Sequence, residues 1–112
     1  MKNWESLKKS NDFRKVYNRG KSIANRQLVM YFLPNKKSYN RIGISVSKKV
    51  GNSVVRSRIT RLIRESYRLN DDNILVGYDI IFIARNSMVG LNYFKTEKSM
   101  MHLLKKQNLY SK

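Results

Sequence analysis

An α+β fold, with helices packed on a sheet, is predicted by three features of the chain. Apolar residues follow a helical spacing early on, alternate along two stretches in the middle, and run unbroken near residue 80. Ser10 is a candidate N-cap, and Asn11 to Asn18 carries Phe13, Val16 and Tyr17 at helical spacing before Gly20 ends the run. From Ser22 to Leu33 the pattern alternates, with Leu28, Met30 and Phe32 on one face and Val29, Tyr31 and Leu33 on the other. Pro34-Asn35-Lys36-Lys37-Ser38 is rich in turn formers. A second strand from Tyr39 to Ser47 sets Ile42, Ile44 and Val46 against Arg41, Gly43, Ser45 and Ser47. The short loop between these strands predicts an antiparallel hairpin.

Gly51-Asn52 turns the chain into a long helix from Ser53 to Leu69. At 100° per residue, Val55, Ile59, Leu62, Ile63, Ser66 and Leu69 fall in an arc of roughly 120°, a core face. Arg58, Arg61, Arg64 and Arg68 lie largely opposite, and Asn70-Asp71-Asp72-Asn73 closes the helix. Tyr78 to Ala84 is nearly all apolar and reads as a strand buried on both faces. Asn92 is placed to cap a last helix through Lys106, with Phe94, Met101 and Leu104 inward. The order is α-β-β-α-β-α: a sandwich with a mostly antiparallel sheet, in a single domain spanning residues 1–112.

The 112 residues carry 24 Lys and Arg against 7 Asp and Glu, a net charge of +17. Self-repulsion on that scale opposes a compact state unless a counter-charge is a working partner. Nucleic acid supplies it, because its phosphates are dense and binding releases condensed counterions. No apolar run approaches the roughly 18 residues of a spanning helix. Met1 to Lys9 lacks the apolar core of a signal peptide, and there is no cysteine for disulfides or a thiolate metal site. The expectation is a cytoplasmic protein with no membrane partner.

Lys48 and Lys49 lie where the strand feeds the long helix, and Arg56 and Arg58 lie in its first turns. Cations there oppose the helix dipole, a local cost that a bound polyanion explains better than folding does. Arginine predominates, and its planar fork suits bidentate phosphate contact. Phe13, Tyr17 and Tyr31 form a second group. Their spacing alone favours buried core; beside basic residues they also fit a stacking platform for unpaired bases. Protein-borne catalysis has no support: His102 is the one histidine and reads as solvated, the acids are scattered, and no metal-ligand spacing occurs.

The run Gly43 to Asn52 (GISVSKKVGN), then Val54-Val55-Arg56-Ser57-Arg58-Ile59 and Arg61-Leu62-Ile63-Arg64-Glu65, resembles the protein subunit of bacterial ribonuclease P. Asn11-Asp12-Phe13 with Tyr17, Ala24-Asn25-Arg26-Gln27 and Ile83-Ala84-Arg85 extend the likeness in the same order. Where the family usually has Arg-Asn-Arg this chain has Arg56-Ser57-Arg58, which keeps both charges and lacks the central amide. The resemblance implies a left-handed β-α-β crossover in a fold like ribosomal protein S5 domain 2. It also implies one protein joined to one large catalytic RNA that removes the 5′ leader of precursor tRNA. Mg²⁺ would be held through the RNA, with none bound by protein side chains. On this likeness Lys48, Asn52, Arg56, Ser57, Arg58, Arg61, Arg64 and Arg68 face the catalytic RNA. Phe13, Tyr17, Tyr31 and Lys49 line a cleft for the single-stranded leader. The alternative is a ribosomal or RNA-chaperone-type binding protein without a processing role; a DNA-binding module is more distant.

Overall fold

The apolar run near residue 80 decides the architecture, because a strand buried on both faces and both edges must be central. In the computed structural model, which describes residues 4–111, this strand is β5 (Tyr78–Ala84). Met1 to Asn3 of the N-terminal stretch and Lys112 lie outside the described residues. The other elements are β1 (Trp4–Ser6), α1 (Ser10–Arg19), β2 (Lys21–Ala24), β3 (Leu28–Pro34), β4 (Asn40–Ser45), α2 (Ser53–Asn70) and α3 (Tyr93–Lys106). The sheet order is β1-β4-β5-β3-β2.

This order corrects the expected hairpin. β3 and β4 run in opposite directions but do not pair; β5 lies between them, antiparallel to β3 and parallel to β4. The connecting loop arches over the start of β5, where the Asn35 N–H donates to the Gly77 carbonyl at 2.8 Å. Gly77 has φ +99°, and a Cβ there would press on the Lys37 carbonyl oxygen at 3.3 Å. The alternating stretch 22–33 is itself the hairpin, folded at Asn25–Gln27 into antiparallel β2 and β3. The sheet is therefore mixed, with two parallel and two antiparallel ladders, where a mostly antiparallel one was expected. β4–α2–β5 is a parallel β-α-β crossover. β1, too short to show a period, adds a parallel edge to β4.

Alternation in β3, β4 and β5 gives each sheet face its own core. Leu28, Met30, Phe32, Ile42, Ile80 and Phe82 pack beneath α2 and α3. On the opposite face Leu7, Val16 and Ile81 form a smaller cluster with Phe13, Tyr31, Leu33 and Ile83 under α1. The buried face of α2 is Ile59, Ile63, Ser66 and Tyr67, rotated roughly 50° from the expected arc at 100° per residue. Leu69, expected inside, is exposed. Tyr67 causes the rotation: its ring meets Trp4 edge-on at 5.4 Å, and its hydroxyl accepts from buried Asn40 at 2.9 Å and faces Asp71. On α3 Leu104 is buried and Met101 half-buried, but Phe94 lies outside; Thr96, Ser99, Met100 and Leu103 take the inner face. Asn92 caps α3 as expected, accepting from the Lys95 N–H at 2.9 Å. Ser10 does not cap α1; it is the first helical residue, and Lys9 precedes it without a side-chain cap.

α1 is seated by two close approaches. A Cβ at Gly20 would lie 2.6 Å from the Val16 carbonyl oxygen and 2.7 Å from that of Phe32. A Cβ at Gly43 would lie 2.7 Å from the Phe13 ring, so the ring rests directly on β4 backbone.

Two outcomes follow from this packing. Burial raises the Tyr67 pKa well above its ordinary value, and Asp71 raises it further against the opposing bond from Asn40. An unfolded chain then releases this proton near pH 10 while the fold retains it, so the stability Tyr67 contributes is complete below that pH and declines above it. Tyr67→Phe should cost about 1–3 kcal/mol at pH 7, and denaturant titrations should show the gap to wild type narrowing as pH rises past about 10. Gly43→Ala should cost about 1–2 kcal/mol, because the far edge of the Phe13 ring can tilt aside. Aromatic NMR shifts of Phe13 and Tyr17 should move while those of Tyr67 stay.

Candidate nucleic-acid interface

The loop entering α2 is built to present charge. The Val50 N–H donates to the Ser47 carbonyl at 3.0 Å, closing a turn that leaves Lys48 and Lys49 exposed. Gly51 admits the Val55 side chain, which a Cβ would meet at 2.7 Å. Asn52, expected to face RNA, is the N-cap: its Oδ1 accepts from the Val55 N–H at 3.0 Å. This uses the carbonyl end of the side chain and offsets part of the cost of crowding cations onto a helix start.

Beyond the cap, Arg56, Ser57, Arg61 and Arg64 line an open groove of about 650 Å³ with Ser53, Thr60 and the β4 end at Ile44 and Val46. The Arg56 Nε donates back to the Gly51 carbonyl at 3.1 Å, which ties that guanidinium to the loop. Arg58 is exposed and is not among the residues lining the groove. Arg68 differs from the others, since its guanidinium is spent on Glu65, one turn earlier. Glu65 is held below the usual carboxylate range by that bond.

The aromatic group comes together on the other face of the sheet. Tyr17 and Tyr31 meet edge to face with centroids 5.0 Å apart, and Phe13 lies 6.4 Å from Tyr17. Tyr17 is 37% exposed, whereas Phe13 and Tyr31 are half-buried in the small core. Two of the rings are therefore anchored in the core and one reaches the surface. Burial, then Tyr31, raise the Tyr17 pKa, against a hydrogen bond with Ser45. Ser45 ends β4, so the platform borders the chain that leads into Lys48 and Lys49. Lys8, Ser10, Arg14 and Asn18 complete a hollow of about 490 Å³ around Phe13 and Tyr17. Lys8 and Arg14 escaped the sequence reading, although Arg14 lies three residues before Tyr17, a spacing that shares a helix face.

Several acidic groups are turned to internal use. Arg41 takes Asp79 with Nε at 2.8 Å and Nη2 at 2.6 Å, and reaches Asp12 on α1 at 3.2 Å. Glu97 accepts from Asn70 at 2.7 Å and from the Tyr93 hydroxyl at 2.8 Å. Burial and that carboxylate push the Tyr93 pKa up to about 12. Among the described residues no group of three or more His, Cys, Asp or Glu is arranged to hold a metal ion. No helix among the described residues is long and apolar enough to cross a membrane. His102 is exposed, its Nδ1 3.3 Å from the Asn25 amide nitrogen.

Comparison with known proteins agrees with this geometry. The family model for ribonuclease P matches residues 1–108. The chain is 54% identical over 109 residues to the ribonuclease P protein component of Alkaliphilus oremlandii, covering 97% of this chain and 96% of that protein. It is 57% identical over 111 residues to the component from Clostridium botulinum, covering 93% and 89%. The Staphylococcus aureus RNase P protein superposes with a TM-score of 0.87 at 42% identity, over 94% of this chain and 96% of that one. The Thermotoga maritima protein does so with 0.84 at 30% identity, over 90% and 96%. A family model that spans nearly the whole chain, relatives more than half identical and a shared fold lead to one conclusion: the chain belongs to the bacterial ribonuclease P protein family.

Proposed function

We propose that this chain is the protein subunit of a ribonuclease P ribonucleoprotein, in which a catalytic RNA cuts the 5′ leader from precursor tRNA and the protein contributes binding and position. The observation that carries this reading is the pairing of two surfaces: an arginine groove on α2, and a half-exposed aromatic platform over the sheet beside basic loops. Lys48, Arg56, Arg58, Arg61 and Arg64 neutralise phosphates of the catalytic RNA. Asn52 serves them by fixing the start of α2, and Ser57 lies among them as a neutral hydroxyl. Arg68 contributes once it leaves Glu65. Phe13 and Tyr31 brace Tyr17, on which a leader base stacks while Lys49 follows the backbone.

Discrimination then follows from a difference in affinities, because mature tRNA has no leader with which to use the platform. Mg²⁺ belongs to the RNA on this reading, whose phosphates supply the oxygen ligands that a hard divalent cation takes. One protein serves one RNA, in the cytoplasm. A ribosomal or chaperone-type role lacks any use for a leader-specific platform.

Cleavage by the catalytic RNA at low Mg²⁺, with and without the protein, tests the reading; no stimulation would overturn it. If about five cations meet phosphates, the log–log salt slope for assembly should be roughly −3.5 to −4.5. Arg58→Ala should make it shallower by about 0.7 to 0.9. Ser57→Asn should leave assembly intact and strengthen it at limiting Mg²⁺ through the added amide. Tyr17→Ala, at an exposed helical position, should weaken holoenzyme binding of precursor tRNA by about 1–3 kcal/mol. Its binding of mature tRNA should hardly change, and its melting temperature should fall only modestly with the lost edge-to-face contact to Tyr31. Equal losses for both RNAs would return the ring to a structural role.

A further inference from the structure

A third basic surface lies away from both, between the β2–β3 loop and α3. Arg26, Lys95, Lys98 and His102 line a groove of about 460 Å³ whose remaining lining is Asn25, Gln27 and buried Ser99. The four basic side chains are exposed, and among the described residues none of them has an ion-pair partner. Glu97, the acid on the same helix, is held by Asn70 and Tyr93.

The groove is rigid. The Asn25 Oδ1 accepts from the Gln27 N–H at 3.1 Å, the Leu28 N–H at 2.9 Å and the Ser99 hydroxyl at 3.1 Å. The Asn25 amide nitrogen donates to the Ser99 carbonyl at 3.0 Å, which fastens the loop to α3. Each backbone carbonyl of the loop is also taken: Asn25 by the Arg85 guanidinium, Arg26 by the Ser87 hydroxyl, Gln27 by the Arg85 N–H. A three-residue surface loop held this completely presents Arg26 in a fixed place. Arg26, Lys95 and Lys98, gathered without acids over amide and hydroxyl groups that are already paired with one another, match a phosphodiester in charge and bring the free donors to it. Phe94 adds a stacking surface at the rim. It is 75% exposed, shares a helix face with Lys98 one turn on, and is braced edge-on by Tyr93 at 5.6 Å.

We propose that the groove between Asn25–Gln27 and α3 binds a phosphate of an unpaired RNA segment, with the adjoining base stacked on Phe94. The inference rests on the RNA-binding reading above and adds a third contact to it. Its RNA source is either the catalytic RNA or the tRNA substrate, and the chemistry is common to both.

Two variants test it in the assembled ribonucleoprotein, Phe94→Ala and the double change Lys95→Ala with Lys98→Ala. All three side chains are exposed, and melting temperatures should match wild type. Protein affinity for the catalytic RNA is measured across a salt series, then holoenzyme affinity for precursor and mature tRNA. The double variant should make one of these slopes shallower by about 1.4 to 1.8. Phe94→Ala should weaken the same equilibrium by about 5- to 150-fold and leave its slope alone. A loss at assembly assigns the phosphate to the catalytic RNA; a loss at the tRNA step alone assigns it to the substrate. No change in any equilibrium, while Arg58→Ala still flattens the assembly slope, would overturn the groove as an RNA site. An inert Arg58→Ala as well would overturn the RNA-binding reading beneath it.

Discussion

Arg41 is the residue on which the arrangement depends. It stands on β4 and takes the carboxylate of Asp79 on β5, which is only 3% exposed. It then reaches across to Asp12 on α1. Asn35 donates to the same Asp79 oxygen at 2.9 Å, so the loop that crosses β5 is fixed by the same carboxylate. A buried ion pair is a poor source of net stability, because desolvation offsets most of its attraction. Its value here is geometric. Losing one partner would strand a buried charge, and only one placement of α1 over the sheet satisfies all three groups. Phe13 follows Asp12 in sequence and Tyr17 follows one turn later, so the clamp also sets where the aromatic platform stands.

The same economy governs charge across the molecule. With few carboxylates against many cations, each acid pointed outward would weaken the field seen by a polyanion. Asp12 and Asp79 hold Arg41, Asp71 faces Tyr67, and Glu97 bridges α2 and α3. Glu65 is the acid on the arginine helix, and it takes Arg68 at the far end, away from the cluster at the start of α2. Among the cations left free, one group stands on α2 and its entry loop and another on the outer face of α3. Folding alone would not favour those placements, least of all beside a helix N-terminus.

The long periodic elements were legible in the sequence because one physical rule governed each. β5 was legible as a run buried on both faces, α2 as an amphipathic helix, and α3 by its Asn92 cap. The arginines of α2 were legible as exposed because charge rarely tolerates burial. What escaped notice depended on partners distant in sequence. A five-residue loop suggested a hairpin, and only the apolar demands of β5, more than 30 residues on, separate β3 from β4. Leu69 lost its place to Tyr67 because the Tyr67 hydroxyl finds Asn40 and its ring finds Trp4. Phe94 looked like core by composition, yet Thr96 and Ser99 take the inner face of α3, where Ser99 bonds the Asn25 loop. In the aromatic group, spacing could not separate buried rings from exposed ones, because Phe13 and Tyr31 are half-buried while Tyr17 reaches the surface.

The clamp on α1 is therefore the central claim, and Asp12→Ala tests it most directly. Asp12 lies outside both the arginine groove and the aromatic hollow, and its loss leaves the Arg41–Asp79 bonds in place. The measurement is the ratio of holoenzyme affinities for precursor and mature tRNA, taken beside protein affinity for the catalytic RNA. With α1 loosened, the ratio should fall toward one while catalytic-RNA affinity holds. An unchanged ratio, or a parallel fall in both affinities, would contradict the account.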